Sequence, residues 1–157
     1  MPQTSMSADP AVAQNGELAY PIRTKVIDSK VAASAAIPFG IFVTRAANGT
    51  VRAPALTGEV TASGVGFALR DDTKPFNSAG YAVGDQIPVL RKGYIYALCE
   101  TAWTEEGAVF ARFTANGGNT VLGKIRNDAD TANAVAIPNA RFVTSGTAAG
   151  LAIVEVF

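Results

Sequence analysis

The stretch from Gly80 to Glu100, GYAVGDQIPVLRKGYIYALCE, decides how the chain is read. Two apolar runs, Gln86 to Leu90 and Tyr94 to Leu98, are rich in β-branched and aromatic residues and flank Arg91-Lys92-Gly93. Glycine enters the positive-φ region freely, so the pattern predicts a hairpin with its turn at Arg91, Lys92 and Gly93. Gly84-Asp85 marks a second tight turn just before it. The hairpin is expected to put Tyr94, Tyr96 and Cys99 in or near the core.

Working outward toward the N-terminus, Gly64 to Leu69 reads as a strand whose glycines permit a bulge, and Pro54 to Ser63 as irregular. Ile37 to Thr44 (IPFGIFVT) is a strand, Ala47-Asn48-Gly49 a turn, and Ser29 to Ala36 extended or a single turn. Thr24 to Asp28 alternates as a short strand. Residues 1–19 are small and polar and read as an extended N-terminal arm. Toward the C-terminus, Ala108 to Thr114, Thr120 to Ile125, Ala134 to Ile137 and Arg141 to Thr144 are strands separated by Gly and Asn turns. The closing run Leu151 to Val156 is apolar on both faces, which suits a place inside a sheet or an interface. The sum is an all-β fold, a small β-barrel or β-sandwich of about nine or ten short strands with no helix. Residues 20–157 form a single β domain behind the arm.

Of the 157 residues, 48% are hydrophobic and only 17% charged, and the formal net charge is zero. A surface so poor in charge suits a protein docked against others. Without a basic run there is no electrostatic capture of nucleic acid or of an anionic membrane, so neither is expected as a partner. The start MPQTSMSADPAVAQ has neither a basic nor an apolar signal region, and no apolar run approaches the ~20 residues of a membrane span. Synthesis and folding in a cytoplasm are expected.

Zero histidines remove the Ser-His-Asp and Cys-His arrangements and every His-containing zinc site. Cys99, the single cysteine, reads as a buried core thiol. Gly64-Val65-Gly66 lacks the third glycine and the helix of a dinucleotide fingerprint. The acid pairs Asp71-Asp72, Glu105-Glu106 and Asp128 with Asp130 lie in turns and read as solvated. Asp128-x-Asp130 lacks the glycine and terminal glutamate of a calcium loop. No catalytic residue, metal or cofactor is expected. Trp103 with Tyr81, Tyr94 and Tyr96 supplies the alternative reading, a β-sandwich carbohydrate-binding or adhesion domain, which would expose Tyr81, Tyr96 or Trp103 in a row. Tyr94 and Tyr96 share one strand face, a spacing equally natural for core or interface packing.

Gly66-Phe67-Ala68-Leu69-Arg70, then Tyr81-x-x-Gly84-Asp85, Val89-Leu90-Arg91-Lys92-Gly93-Tyr94-Ile95 and Leu122-Gly123 together resemble the structural cement, or head-decoration, proteins of tailed bacteriophages. Tyr20-Pro21-Ile22 at the end of the arm fits the same pattern. The resemblance implies a small β-barrel or sandwich that binds the outer surface of an assembled capsid and locks neighbouring capsomers together. Its partners would be the major capsid protein and copies of itself, in a trimer or else a dimer. Gly84, Asp85, Gly93 and Tyr94 match the family's turns. Tyr20, Ile22 and Arg23, from their placement, are the expected capsid or subunit contacts.

Overall fold

The computed structural model describes residues 13–21, 23–33, 35–75 and 78–157; the arm residues 1–12 and Ile22 lie outside them. Alternating apolar residues build the strands β1 (Val26–Val31), β2 (Ile37–Pro38), β3 (Phe42–Arg45), β4 (Val51–Arg52), β5 (Gly64–Ala68), β6 (Gly80–Tyr81), β7 (Gln86–Cys99), β8 (Ala108–Arg112), β9 (Ile125–Arg126), β10 (Ala134–Phe142) and β11 (Gly150–Val156). One six-residue helix, α1 (Thr57–Ala62), interrupts them.

The expected hairpin is not one: β7 runs unbroken for 14 residues through Arg91, Lys92 and Gly93. The turn assigned to Gly93 is therefore corrected to a joint within a strand. Val26 lies opposite Lys92 and Ile27 opposite Leu90, which leaves Arg91 as an extra residue, a β-bulge. An extra residue turns all later side chains to the other face. Ile87 and Val89 enter one core, whereas Leu90, Ile95, Ala97 and Cys99 enter another. Gly93, at φ +129, sits at the joint, where a Cβ would meet Lys25 at 3.2 Å. Tyr94 and Tyr96 consequently point outward and are half-buried, not in the core.

On each side of this joint β7 serves a different sheet. Its second half pairs with β11, from Gly93 opposite Val156 to Cys99 opposite Gly150. The order β11-β10-β8-β9-β7, closed by β7 on β11, makes a five-stranded barrel. The bore of so small a barrel admits only modest side chains, and Ala97, Ala111, Ala152, Cys99 and Val154 line it without exposure above 2%. The first half of β7 carries β1 on one edge and β5, β3 and β4 on the other. This second sheet buries both faces: Phe42, Phe67 and Leu90 toward the barrel, Val43, Ala68 and Val89 toward the smaller core with Ile37, Phe39 and Tyr81. Gly66, at φ +155, lets β5 approach the Leu90 carbonyl more closely than any Cβ would allow.

Four other local readings change. IPFGIFVT is two strands, because Phe39 and Gly40 turn there and the Gly40 N–H bonds the Ala68 carbonyl at 2.7 Å. Ala134 to Thr144 is one strand to Phe142, its register against β8 shifted between Ala136 and Arg141, a stretch in which Asn139 has a φ of +58. The strand expected at Thr120 to Ile125 survives only as β9. The segment called irregular contains α1, held by tertiary contacts: Val60 is buried and Glu59 accepts from the Ala55 N–H and from Arg52.

Residues 14–19 belong to the body. Leu18 bridges Ile95, the Gly16 and Ala19 N–H groups bond the carbonyls of Tyr96 and Tyr94 at 2.8 and 3.0 Å, and the Tyr96 N–H returns to Glu17 at 2.9 Å. Asn15 donates to the Phe39 carbonyl and accepts from the Leu98 N–H. This extra strand covers the edge of β7 that β11 leaves open, and Leu18 packs on the barrel core.

Candidate docking surface

The connection from this segment to β1 carries Tyr20 and Arg23 onto the outer face of the barrel, against Tyr94. Strand register does the rest: Tyr94 of β7 lies opposite Glu155 of β11, and Glu155 opposite Arg141 of β10, so the three side chains form a row across one face. The Tyr94 hydroxyl donates to Glu155 Oε1 at 2.6 Å, and Arg141 Nε donates to Oε2 at 2.7 Å. Arg141 also reaches Glu106 at 2.6 Å in the turn before β8, and its guanidinium lies 5.8 Å from the Phe157 ring. At the other end, Arg23 donates to the Tyr94 hydroxyl at 3.3 Å and sits 5.2 Å from both the Tyr20 and Tyr94 rings. Those rings meet edge to face at 5.1 Å. The Tyr94 hydroxyl, then Arg141, hold the Glu155 carboxyl below the usual carboxylate range against the cost of its partial burial.

This ladder borders a depression of about 500 Å³ lined by Arg23, Thr24, Lys92, Tyr94 and Glu155. Of the expected contacts, Tyr20 and Arg23 are exposed and adjacent here, and Ile22 is outside the described residues. Tyr94, Glu155 and Arg141 were missed. They are distant in sequence and meet only through pairing of three strands, and Tyr94 had been assigned inward. Gly84 and Asp85 lie away from this ladder, in the turn just before β7, closed by Asp85 N–H to the Ala82 carbonyl at 3.1 Å, with Lys74 on the Asp85 carboxylate at 2.5 Å.

The aromatic row of the carbohydrate reading does not form. Tyr81 is 1% exposed, bonds the Leu69 carbonyl at 2.6 Å and has its phenol pushed up by burial. Trp103 is 7% exposed and stacks on Phe142 with ring centroids 6.1 Å apart. Only Tyr94 and Tyr96 of the set reach the surface.

A second charged cluster closes the barrel at its opposite end and corrects the reading of Asp130 as a solvated acid. Arg112 on β8 is fully buried and grips Glu100 with Nε at 3.0 Å from both carboxylate oxygens and Nη2 at 2.7 Å. Asp130 Oδ2 lies 2.7 Å from Arg112 and 2.9 Å from Arg126, ionic contacts out of line for hydrogen bonds. Arg126 also pairs with Asp128 at 2.7 Å. Asp130, Thr131 and Ala132 all have positive φ, a tight left-handed turn held by this cluster. The Arg112 guanidinium, outweighing desolvation, keeps Asp130 ionised below the usual range. Both carboxylates of Asp128-x-Asp130 are thus taken by arginines. Cys99 is buried in the barrel, and burial pushes its thiol up, away from the reactive thiolate.

The described strands thus define an all-β protein: a closed barrel with a buried ionic plug at one end and a charged aromatic ladder on its outer wall. The chain belongs to a known family of this class, the phage structural cement proteins: residues 1–156 match the family described as structural cement protein (E217 gp24/Pam3 gp6). Its fold is similar to that of a chain in the capsid of Myoviridae phage XM1, with a TM-score of 0.71 over 96% of this chain and 97% of that one at 18% identity. No curated protein matches it. Membership in the family makes the chain a structural protein of the virion capsid.

Proposed function

We propose that this protein binds the outer surface of the assembled phage head, contacting the major capsid protein and cementing neighbouring capsomers. It acts without catalysis and as a homo-oligomer, a trimer or a dimer, after synthesis in the host bacterial cytoplasm. The observation that carries the reading is the match to cement proteins along nearly the whole chain. The ladder Tyr20, Arg23, Tyr94, Glu155 and Arg141 is the contact surface, because it offers exposed rings and both signs of charge. The N-terminal arm expected at residues 1–19 would extend this contact. A zero net charge gives no pull toward nucleic acid or membrane.

Physically, a protein that binds the lattice and not the separated subunits stabilises the lattice by mass action. Repetition over many equivalent positions multiplies weak contacts into high avidity. Cosedimentation with expanded capsids that lack the protein tests the reading. The wild type is expected to pellet with capsids at a fixed stoichiometry, and the Tyr20→Ala/Arg23→Ala variant to pellet less. Wild-type protein left wholly in the supernatant would contradict the proposal.

A further inference from the structure

Two of the side chains lining the depression beside the ladder are cations, Arg23 and Lys92, and among the described residues neither is within ion-pairing distance of a carboxylate. The acids around them are already committed. Glu155, the one acid in the lining, gives Oε1 to the Tyr94 hydroxyl at 2.6 Å and Oε2 to Arg141 at 2.7 Å. Glu106 is held by Arg141, and Asp28 by Arg91 at 3.2 Å and Lys30 at 3.7 Å. The bulge at Arg91 produces this arrangement, because it sends Arg91 to Asp28 on β1 and leaves the next residue, Lys92, at the depression. In a chain of zero net charge, positive charge is thereby left unbalanced at one place.

Arg23 is also held ready. Its guanidinium lies 5.2 Å from both the Tyr20 and Tyr94 rings, which fix it without neutralising it. One hydrogen bond, to the Tyr94 hydroxyl at 3.3 Å, leaves its remaining N–H donors open among the described residues, and their planar fork suits a carboxylate. Lys92 adds a second charge, and the Thr24 hydroxyl in the lining a further donor. Apolar surface adjoins them: Val26, opposite Lys92, is 43% exposed and Tyr20 37%. Cations beside apolar groups match an acidic polypeptide, whose carboxylate enters while its neighbouring side chains cover Val26 and Tyr20. A nucleic acid calls instead for a stripe of cations along its phosphates, and two do not make one.

We propose that the depression is a socket for a carboxylate on an acidic segment of the capsid shell, seated between Arg23 and Lys92. The inference rests on the capsid reading above and gives the partner at that surface its chemistry. Cover by the partner strengthens each contact, because less water remains to screen the charges.

Titration of expanded capsids with the full chain over a salt series, read by cosedimentation, tests the socket through Lys92, which the ladder does not use. Lys92→Gln is expected to weaken binding about tenfold, the worth of one hydrogen bond to a charged group, and Lys92→Glu more. Lys92 is exposed, so both variants are expected to melt with the wild type. Added salt is expected to weaken the wild type more steeply than Lys92→Gln. Arg45→Glu reverses an exposed charge on β3, two strands from β7, and is expected to bind like the wild type. A glutamate-rich peptide is expected to displace the wild type from capsids, and a DNA oligonucleotide to leave it in place. Lys92→Glu bound as tightly as the wild type overturns the socket alone, whereas a wild type that never pellets removes the capsid reading and the socket together. Equal losses in Arg45→Glu and Lys92→Glu would assign the effect to overall charge, and displacement by DNA but not by the peptide would assign the depression to phosphate. Either result overturns the proposal.

Discussion

The two charged clusters, one at the end of the barrel and one on its wall, are built from the same side chains and do different work. Glu100 and Arg112 have no exposed side-chain surface, and their burial is compensated by each other together with Arg126 beside Glu100 and Asp130 beside Arg112. Arg141 and Glu106, in the ladder, are 43 and 63% exposed and would be comfortably solvated apart. Desolvation makes the first cluster a structural plug that fixes the Asp128 to Asn133 turn. Exposure leaves the second free to exchange its water for a partner. The difference between this framework and the proposed contact surface is therefore one of burial.

The sharpest way to break this comparison is Arg112→Ala. It leaves the buried Glu100 with only the longer 3.5 Å contact to Arg126 and is expected to cost on the order of 3–5 kcal/mol of unfolding free energy in urea titrations. A loss below about 1 kcal/mol would mean that the plug is solvated after all. Next in size is Gly93→Ala, which forces a side chain to φ +129 at the joint between the sheets. It is expected to cost about 1–3 kcal/mol, read as a lowered melting temperature.

Smaller in stability but larger in function is Tyr94→Phe with Glu155→Gln. This change in the ladder is expected to shift stability by under about 1 kcal/mol and to reduce capsid occupancy. Deletion of residues 1–12 belongs in the same range. It leaves the 14–19 strand on β7 intact, so melting should be unchanged while attachment weakens. Cutting to residue 19 instead removes the strand and is expected to lower melting as well. That second outcome revises the arm boundary read at residue 19.

The least expensive perturbation is acid. Asp130 and Glu155 have folded-state proton affinities held below the ordinary carboxylate range by Arg112 and by Tyr94. The unfolded chain therefore binds protons first as pH falls. Their contribution to stability is complete above about pH 5, and it is lost progressively as pH drops through the ordinary carboxylate range, near 4, toward the folded values. Melting temperature should fall over that window, and Asp130→Asn should flatten the fall. A melting curve flat from pH 6 to pH 3 would show that neither acid is coupled to folding.

The all-β class, the strand count and the inert Cys99 were legible in the sequence because alternation and turn residues act locally. The course of β7 was not. Arg91-Lys92-Gly93 has the same local chemistry in a three-residue turn and in a bulge, and only the partners on either side, β1 before the joint and β11 after it, select the bulge. That one misreading reversed Tyr94 and hid the ladder, whose members lie on three strands. The ionic plug was hidden differently: Asp130 sits in a polar loop by sequence, and its burial depends on Arg112 and Arg126 pointing into the same barrel end. Tyr20 and Arg23 were singled out because they follow the arm, whereas the neighbours they meet in the fold, Tyr94 first, come from distant strands and leave no trace in a local pattern.

The central claim, that this barrel stabilises a capsid by binding its assembled surface, is tested most directly by the melting temperature of expanded capsids with and without the purified protein. An upward shift that saturates with occupancy is the predicted result. Full occupancy with no shift would reduce the protein to a passive ornament, and no occupancy would contradict the account outright.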